Sequence, residues 1–363
     1  MPDVSRRRFR FDEGDLRRHG HSLDAIRRYL PKFLLDPDPL PCGKLKRIAI
    51  GLALKICGLV ATLLLRPRKD KAGALDPSEV DRVYDREAAG YDAKHHLTTR
   101  GRDTHWRRWT AWGVSNLARE MAHDRPFILD LCTGTGLTIV EMARQLDHWG
   151  LGADIVGLDY NQRMLEVAGR KILGSPRVKV DLVRGDAMSL VGESDAEFRR
   201  FPRDNFDAVT QMFGIGGICD PVKVFDGVLR VLRPGGRYFL VDMHQPIADQ
   251  PSEVPTPLGW KKLPVFETLG YFHCTLPIAL KRLWGWRDTT LDFYLLPLVT
   301  YVDERGRAWG FRTLELDMES QRWWLGLPFM PTARIAVEKV PISLAELIIR
   351  EDVLKVVLEQ LSK

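Results

Sequence analysis

Hydrophobic positions change their period along the chain. From Ile48 to Leu65 the sequence IAIGLALKICGLVATLLL runs for eighteen residues with a single charge, Lys55. Lys44, Gly51, Lys55, Gly58, Thr62, Arg66 and Lys69 fall at helical spacing along it, so a narrow polar-or-small stripe marks an otherwise apolar helix. After Pro77 short apolar runs alternate with stretches of helical composition. Phe127 to Gly136 is an apolar run ending in a glycine turn, and a helix is predicted over Leu137 to Leu146. Ile155 to Asp159 is a second apolar run, and further strands are predicted at Val178–Arg184, Phe206–Met212 and Arg237–Asp242. Beyond Thr300, alternation in Arg312–Asp317 and Ala333–Lys339 predicts an antiparallel pair that finishes the sheet. Ser343 to Leu361 reads as an amphipathic terminal helix, packed on the core or on a partner. Strands that alternate with helices imply an α/β, doubly wound sheet with ligands at the carboxyl ends of its strands.

With 363 residues, 45% of them hydrophobic, the chain can bury one large core and carry appendages. That composition excludes disordered, collagenous and disulfide-stapled proteins. The formal net charge of +6 is modest, but twelve lysines and arginines, from Arg6 to Arg47, crowd the first fifty positions. Such an arm attracts anionic surfaces, phospholipid or nucleic acid. The five cysteines contain no C-x-x-C, so reduced thiols are expected, with neither disulfide framework nor metal site. No secretory signal is expected, because no apolar stretch follows the basic start before Ile48. Basic residues flank the apolar helix on both sides, at Lys44 to Arg47 and Arg66 to Lys69. A spanning helix usually has asymmetric Lys/Arg flanks, whereas an interfacial one is held by basic residues along its length. Peripheral membrane contact through residues 44–69 is therefore the expectation, at a cytoplasmic membrane face. A buried helix and a true span are its alternatives.

The first glycine turn carries the chemistry. Asp159 lies 23 positions after Gly136, an arrangement that serves either a dinucleotide or S-adenosylmethionine. Two details separate them. Ile139 stands where a third dinucleotide glycine would fall, and Asp130 precedes the glycines at the strand end. A carboxylate there repels a pyrophosphate but suits the ammonium and sulfonium charges of S-adenosylmethionine. Gly134 and Gly136 allow close backbone approach, and Asp159 is placed to accept from ribose hydroxyls.

Asp130-x-x-x-Gly134-x-Gly136, Gly157-Leu-Asp159-Tyr-Asn161-x-x-Met164-Leu165, Gly185-Asp186-Ala187, Phe206-Asp207 and Leu232-Arg-Pro-Gly-Gly236 resemble the successive motifs of class I S-adenosylmethionine-dependent methyltransferases. The chain is most similar to the C-methyltransferases of ubiquinone and menaquinone biosynthesis. Tyr84-Asp85-x-x-Ala88-x-x-Tyr91-Asp92 and Gly101-x-x-x-x-Trp106-Arg107-Arg108 resemble that family's N-terminal helix, and Phe213-Gly214 and Cys219-Asp220 add to the likeness, which runs from about Val80 to Pro246. It implies a seven-stranded Rossmann-like sheet with S-adenosyl-L-methionine as cofactor. By the same resemblance Asp186 pairs with the adenine amino group, Ala187 offers its backbone, and Met164 and Met188 line the adenine slot. Tyr91, with Tyr84, folds over the cofactor. Cys132, Tyr160 and Gln211, at the ends of the first, second and fourth strands, complete the expected cofactor set.

Methylating a phenol or quinol ring carbon requires a phenolate or a base. His244, just past the fifth strand, is the first candidate, with His95 and His96 in the N-terminal lid as the others. The stretch Gln211 to Gly217 lacks the [DNS]-P-P-[YF] turn of enzymes that methylate exocyclic base amines, and nucleic acid is not the expected substrate. From Gln245 to Leu298 the chain departs from the family with a proline- and aromatic-rich insertion. Such a segment suits a cap over an apolar pocket or a bilayer interface. The expected organisation is a basic arm and hydrophobic helix over 1–78, a catalytic domain over 79–341 with a cap at about 245–298, and a terminal helix over 342–363. The expected activity is methylation of a hydrophobic small molecule, foremost a ring carbon of a prenylated quinol. The alternatives are O- or N-methylation of another lipid or aromatic metabolite, or a non-catalytic scaffold in an oligomer or complex.

Overall fold

The structure is a computed structural model that describes residues 77–99, 101–121, 125–172, 175–215, 218, 220–243, 253–256, 259–262, 295–318, 323–324, 327–328 and 332–362. The apolar helix at 44–69, most of the expected cap and His244 lie outside these residues. Three helices lead in: α1 (Pro77–Glu87), α2 (Tyr91–Thr99) and α3 (Arg102–Glu120). The motif likened to one N-terminal helix is thus divided among three. Gly90 falls in the first break, and Gly101 makes the second at φ 75°, which a residue with a Cβ rarely adopts.

Five parallel strands follow, β1 (Phe127–Leu131), β2 (Ala153–Asp159), β3 (Val178–Arg184), β4 (Phe206–Met212) and β5 (Leu232–Met243). They alternate with α4 (Leu137–His148), α5 (Gln162–Lys171) and α6 (Pro221–Val231). Then come β6 (Thr300–Val302), β7 (Ala308–Met318), β8 (Thr332–Pro341) and α7 (Leu344–Ser362). The sheet order is β3-β2-β1-β4-β5-β8-β7-β6, with β8 antiparallel to both β5 and β7. All seven expected strands are present. An eighth, three-residue strand, β6, pairs antiparallel with β7 at Thr300 to Val302. Two short ladders, Glu253–Thr256 with Gly259–Lys262 and Trp323–Trp324 with Leu327–Pro328, stand apart from this sheet.

Period-two alternation splits the core between two layers. Ile128 and Ile155 pack with Val114, Met142 and Leu146 on the face covered by α3 and α4. Their neighbours Leu129 and Val156 pack with Phe225, Val228 and Val353 on the face of α6 and α7. Asp130 shares the parity of Ile128, so it leaves the sheet on the α3 side. The strand order reverses at β1, between β2 and β4. At such a switch point the connections leave in opposite directions and a crevice opens at the carboxyl ends.

Candidate active site: a carboxylate-rich cleft with an aromatic wall

At that crevice lies a cleft of about 1100 Å³, its open mouth included. It is lined from β1 and its turn by Asp130, Cys132 and Gly134, and from β2 by Asp159 and Tyr160. Met164, Asp186, Ala187 and Met188 line it farther along the sheet edge, and Tyr91 and His95 line it from α2.

Asp130 is buried on β1, with its Oδ1 accepting from Thr210 Oγ1 at 2.6 Å and its Oδ2 from Thr133 Oγ1 at 2.9 Å. Burial outweighs these bonds and pushes its pKa up to about 6. Asp159 ends β2. Its Oδ2 accepts from the Gly134 amide at 2.7 Å and its Oδ1 from the Asn161 amide at 2.9 Å. Burial lifts this carboxyl to about 6 as well. The Asp159 contact braces the glycine turn, which needs a left-handed residue at Gly134 (φ 56°). Asp186 Oδ1 accepts from the Met188 amide at 2.8 Å.

β1 and β4 both leave the sheet through a non-glycine residue in the left-handed region, Cys132 (φ 52°) and Phe213 (φ 56°). The two exits interlock at Gly214, where a Cβ would stand 2.5 Å from that of Cys132. Burial raises the Cys132 thiol well above its ordinary range, and Gln211 Nε2 approaches its sulfur at 3.4 Å.

α1 and α2 are tied across the cleft by groups to which the sequence motifs assigned no role. Asn161 caps α5 by accepting from the Met164 amide, while its Nδ2 donates to Asp81 Oδ1 at 2.7 Å and Asp85 Oδ1 at 2.8 Å on α1. Asp92 on α2 accepts from Thr135 Oγ1 at 2.5 Å and pairs with Lys171 of α5. The signal was the spacing of Asp81 and Asp85 on one side of α1, but nothing in the sequence named Asn161 as their partner.

An aromatic wall continues from this lid. Tyr84 meets Tyr91 edge-on at 6.0 Å, Tyr91 stacks on His95 at 5.6 Å, and His95 meets Phe213 at 5.1 Å with Trp106 behind it. Asp103, in the first turn of α3, lies 3.8 Å from His95 Nδ1 and accepts from Thr99 Oγ1 at 3.0 Å. Although burial opposes it, the nearby His95 ring and the hydrogen bonds from Arg107 and Thr99 hold the Asp103 carboxyl far below the usual range.

Three expected residues fall elsewhere. His96 is 65% exposed at its side chain and contacts Asp103 from outside the cleft. Gln211 is fully buried beneath the cleft, accepting from the Tyr238 hydroxyl. Gly136 does not line the cleft either. At φ 79° it starts α4 and lets α5 pack close, since a Cβ there would come within 2.9 Å of Ala168 Cβ. Among the described residues no group of His, Cys, Asp and Glu is arranged to hold a metal ion. Nor is any described helix long and apolar enough to cross a membrane.

Residues 72–266, more than half of the chain, match the model of the ubiE/COQ5 methyltransferase family. This chain belongs to that family. A demethylmenaquinone methyltransferase of Clavibacter sepedonicus is 35% identical over 170 residues, which cover 47% of this chain and 60% of that protein. The protein of the same name from Lactobacillus johnsonii is 32% identical over 184 residues, covering 50% of this chain and 66% of its own length. The match thus spans less than two thirds of each relative. A looser structural likeness joins the chain to a Haemonchus contortus phosphoethanolamine N-methyltransferase, at 14% identity and a TM-score of 0.49 over 77% of this chain and 52% of that one. The fold assignment rests on the strand order itself, and the motif residues Asp130, Gly134, Asp159, Asp186 and Ala187 line the cleft.

Proposed function

We propose that this protein is an S-adenosylmethionine-dependent methyltransferase that methylates a ring carbon of a prenylated quinol or a similar hydrophobic ring compound. The observation that carries this reading is the cleft's pairing of buried carboxylates with an aromatic wall, in a chain of the ubiE/COQ5 family. The relatives' printed name supports the quinone-type acceptor.

The residues fit the cofactor. Asp130 would hold the cationic methionine part above the Gly134 turn, and Asp159 the ribose hydroxyls through the lone pairs its two amide contacts leave over. Asp186, Ala187, Met164 and Met188 would enclose the adenine. Bound there, S-adenosylmethionine supplies a methyl group already activated by its sulfonium, so the protein needs no nucleophile of its own. What remains is to align an acceptor and manage its proton. The rings of Tyr91, His95 and Phe213 would hold a flat acceptor, and His95, its imidazole oriented by Asp103, would accept the proton of a ring hydroxyl. Expulsion of water by the lid of α1 and α2 would favour a greasy acceptor over a free metabolite. Contact with a membrane through residues 44–69 would bring such an acceptor within reach.

Incubation with isotopically labelled S-adenosylmethionine and a lipid extract of the host, followed by mass spectrometry, tests the reading. Label on a quinone ring carbon is the expected result. Label on an oxygen or nitrogen of another compound would retain the transferase and discard the quinol. No label, despite cofactor binding, would turn the reading toward a scaffold.

A further inference from the structure

Charge around the cleft is one-sided. Asp81, Asp130, Asp159 and Asp186 line it, and among the described lining residues Arg107 is the one fixed cation. It rises from the first turns of α3 and is only 9% exposed. Burying a guanidinium is costly unless its donors are used. Here that requirement is half met. Nη1 donates to Asp103, whereas Nε is buried without a partner, and no described residue accepts from Nη2. Asp103 is itself held by Thr99 and His95, so the guanidinium cannot swing away to find a partner elsewhere. Burial raises the pKa of both Asp130 and Tyr91, and the Arg107 charge, which reaches each of them, offsets part of that rise. Arg107 therefore stands between the cofactor end of the cleft and the aromatic wall.

We propose that Arg107 is the anion-binding residue of this cleft, receiving a negatively charged oxygen on the edge of its guanidinium that Asp103 leaves free. The inference rests on the methyltransferase reading above. Two oxygens of that chemistry could reach it, the carboxylate of the cofactor's methionine part and the ionised hydroxyl of a ring acceptor. A carboxylate in a cleft of four aspartates needs a cation, and a phenolate needs a donor that stabilises it at neutral pH. A planar fork suits both, better than an ammonium would.

The full-length chain and Arg107→Gln are titrated calorimetrically with S-adenosylhomocysteine and with its decarboxylated analogue. Both are then titrated, with S-adenosylhomocysteine present, against a 2-hydroxy-3-alkyl-1,4-naphthoquinone, which binds as a coloured anion, and against its neutral methyl ether. Removal of one charged hydrogen-bonding partner predicts a loss of roughly 10- to 100-fold for the anion concerned. If the natural chain prefers S-adenosylhomocysteine to the decarboxylated analogue by that factor and Arg107→Gln erases the preference, the anion is the cofactor's carboxylate. If that preference survives but the naphthoquinone anion weakens while its ether does not, the anion is the acceptor's oxygen. Equal binding of every probe by both proteins overturns the proposal. Retained affinity for the decarboxylated analogue reports that the variant is folded. Arg107→Lys, which keeps the charge but loses the fork, should narrow the same preference, and an unchanged preference in that variant counts against the guanidinium. A natural chain that binds neither adenosyl compound overturns the cofactor reading and this proposal with it, a result distinct from failure of Arg107 alone.

Discussion

Asp130 and Asp159 are each satisfied by two donors, yet burial leaves both protonating near pH 6 in the ligand-free protein. A cationic ligand favours the ionised forms, so binding must expel any proton present. Affinity for S-adenosylmethionine should thus hold steady above pH 7 and fall as pH drops through 6, by up to about tenfold per pH unit for each carboxyl. Calorimetry between pH 5 and 8 checks this, and a flat profile would contradict it. The stability contribution runs the other way. A folded-state pKa raised above its unfolded value favours the native state at pH below about 4, and the advantage is lost as pH rises through 6. At the same residue, Asp130→Asn should fold, because an amide oxygen still accepts from a threonine hydroxyl, but should bind the cofactor at least ~10-fold more weakly. Asp130→Ala should also lower Tm, since the buried Thr210 hydroxyl loses its acceptor at about 1–3 kcal/mol, whereas Thr133 keeps the Asp130 backbone carbonyl. Thermal melts with and without S-adenosylhomocysteine separate the two effects. Gln211 shows where residue-level reading stopped. Its parity along β4 is opposite to that of Thr210, which reaches Asp130, and Met212, which lines the cleft. The sequence supplies the alternation but not which face meets the cleft.

The parallel strands were legible to the residue at Val178–Arg184 and Phe206–Met212, because each is a short apolar run between turn signals. β5 begins five residues before the expected Arg237, since Leu232 already pairs with Phe206 ahead of a register shift. β6 escaped notice because three residues carry too little alternation to read. The lead-in helices were harder still, because their positions depend on contacts eighty residues away in sequence. Asn161 concentrates those contacts, capping α5 and holding α1 with one side chain. Asn161→Ala should therefore cost about 1 kcal/mol for the cap alone and free α1 from the tip of β2. Hydrogen exchange should speed up across Pro77–Glu87 and stay slow in β1 and β4, whose burial does not involve the lid. Equal acceleration everywhere would mean that Asn161 supports the global fold instead.

Across the whole molecule, the cleft draws all its described lining from residues 77–218. Deleting residues 1–75 should consequently leave S-adenosylhomocysteine affinity within about threefold, while moving the protein from membrane to soluble fractions if residues 44–69 hold it at the bilayer. Sedimentation with vesicles containing anionic lipid measures the second effect. A truncated chain that still sediments would shift attention to the aromatic insertion. What the sequence revealed at this scale was the order of motifs, and with it the family. The lid was expected from Tyr84, Tyr91 and His95, but the ties that hold it and the cation inside the cleft emerged only when α1, α2 and α3 were brought against the ends of β1, β2 and β4.

The brevity of β6 has a consequence for how copies of this protein meet. Its three residues pair with only the first part of the eleven-residue β7. Among the described residues, the ladder positions beyond Gly310 are paired with β8 on one side and have no strand on the other. An unpaired edge of that length is a template on which another extended chain can polymerise. Arg312, Glu315 and Asp317 punctuate this stretch with charged side chains, an arrangement that discourages such growth between identical chains. Replacing those three residues with valine would turn the rim of the sheet into a seed for fibres without touching the cleft.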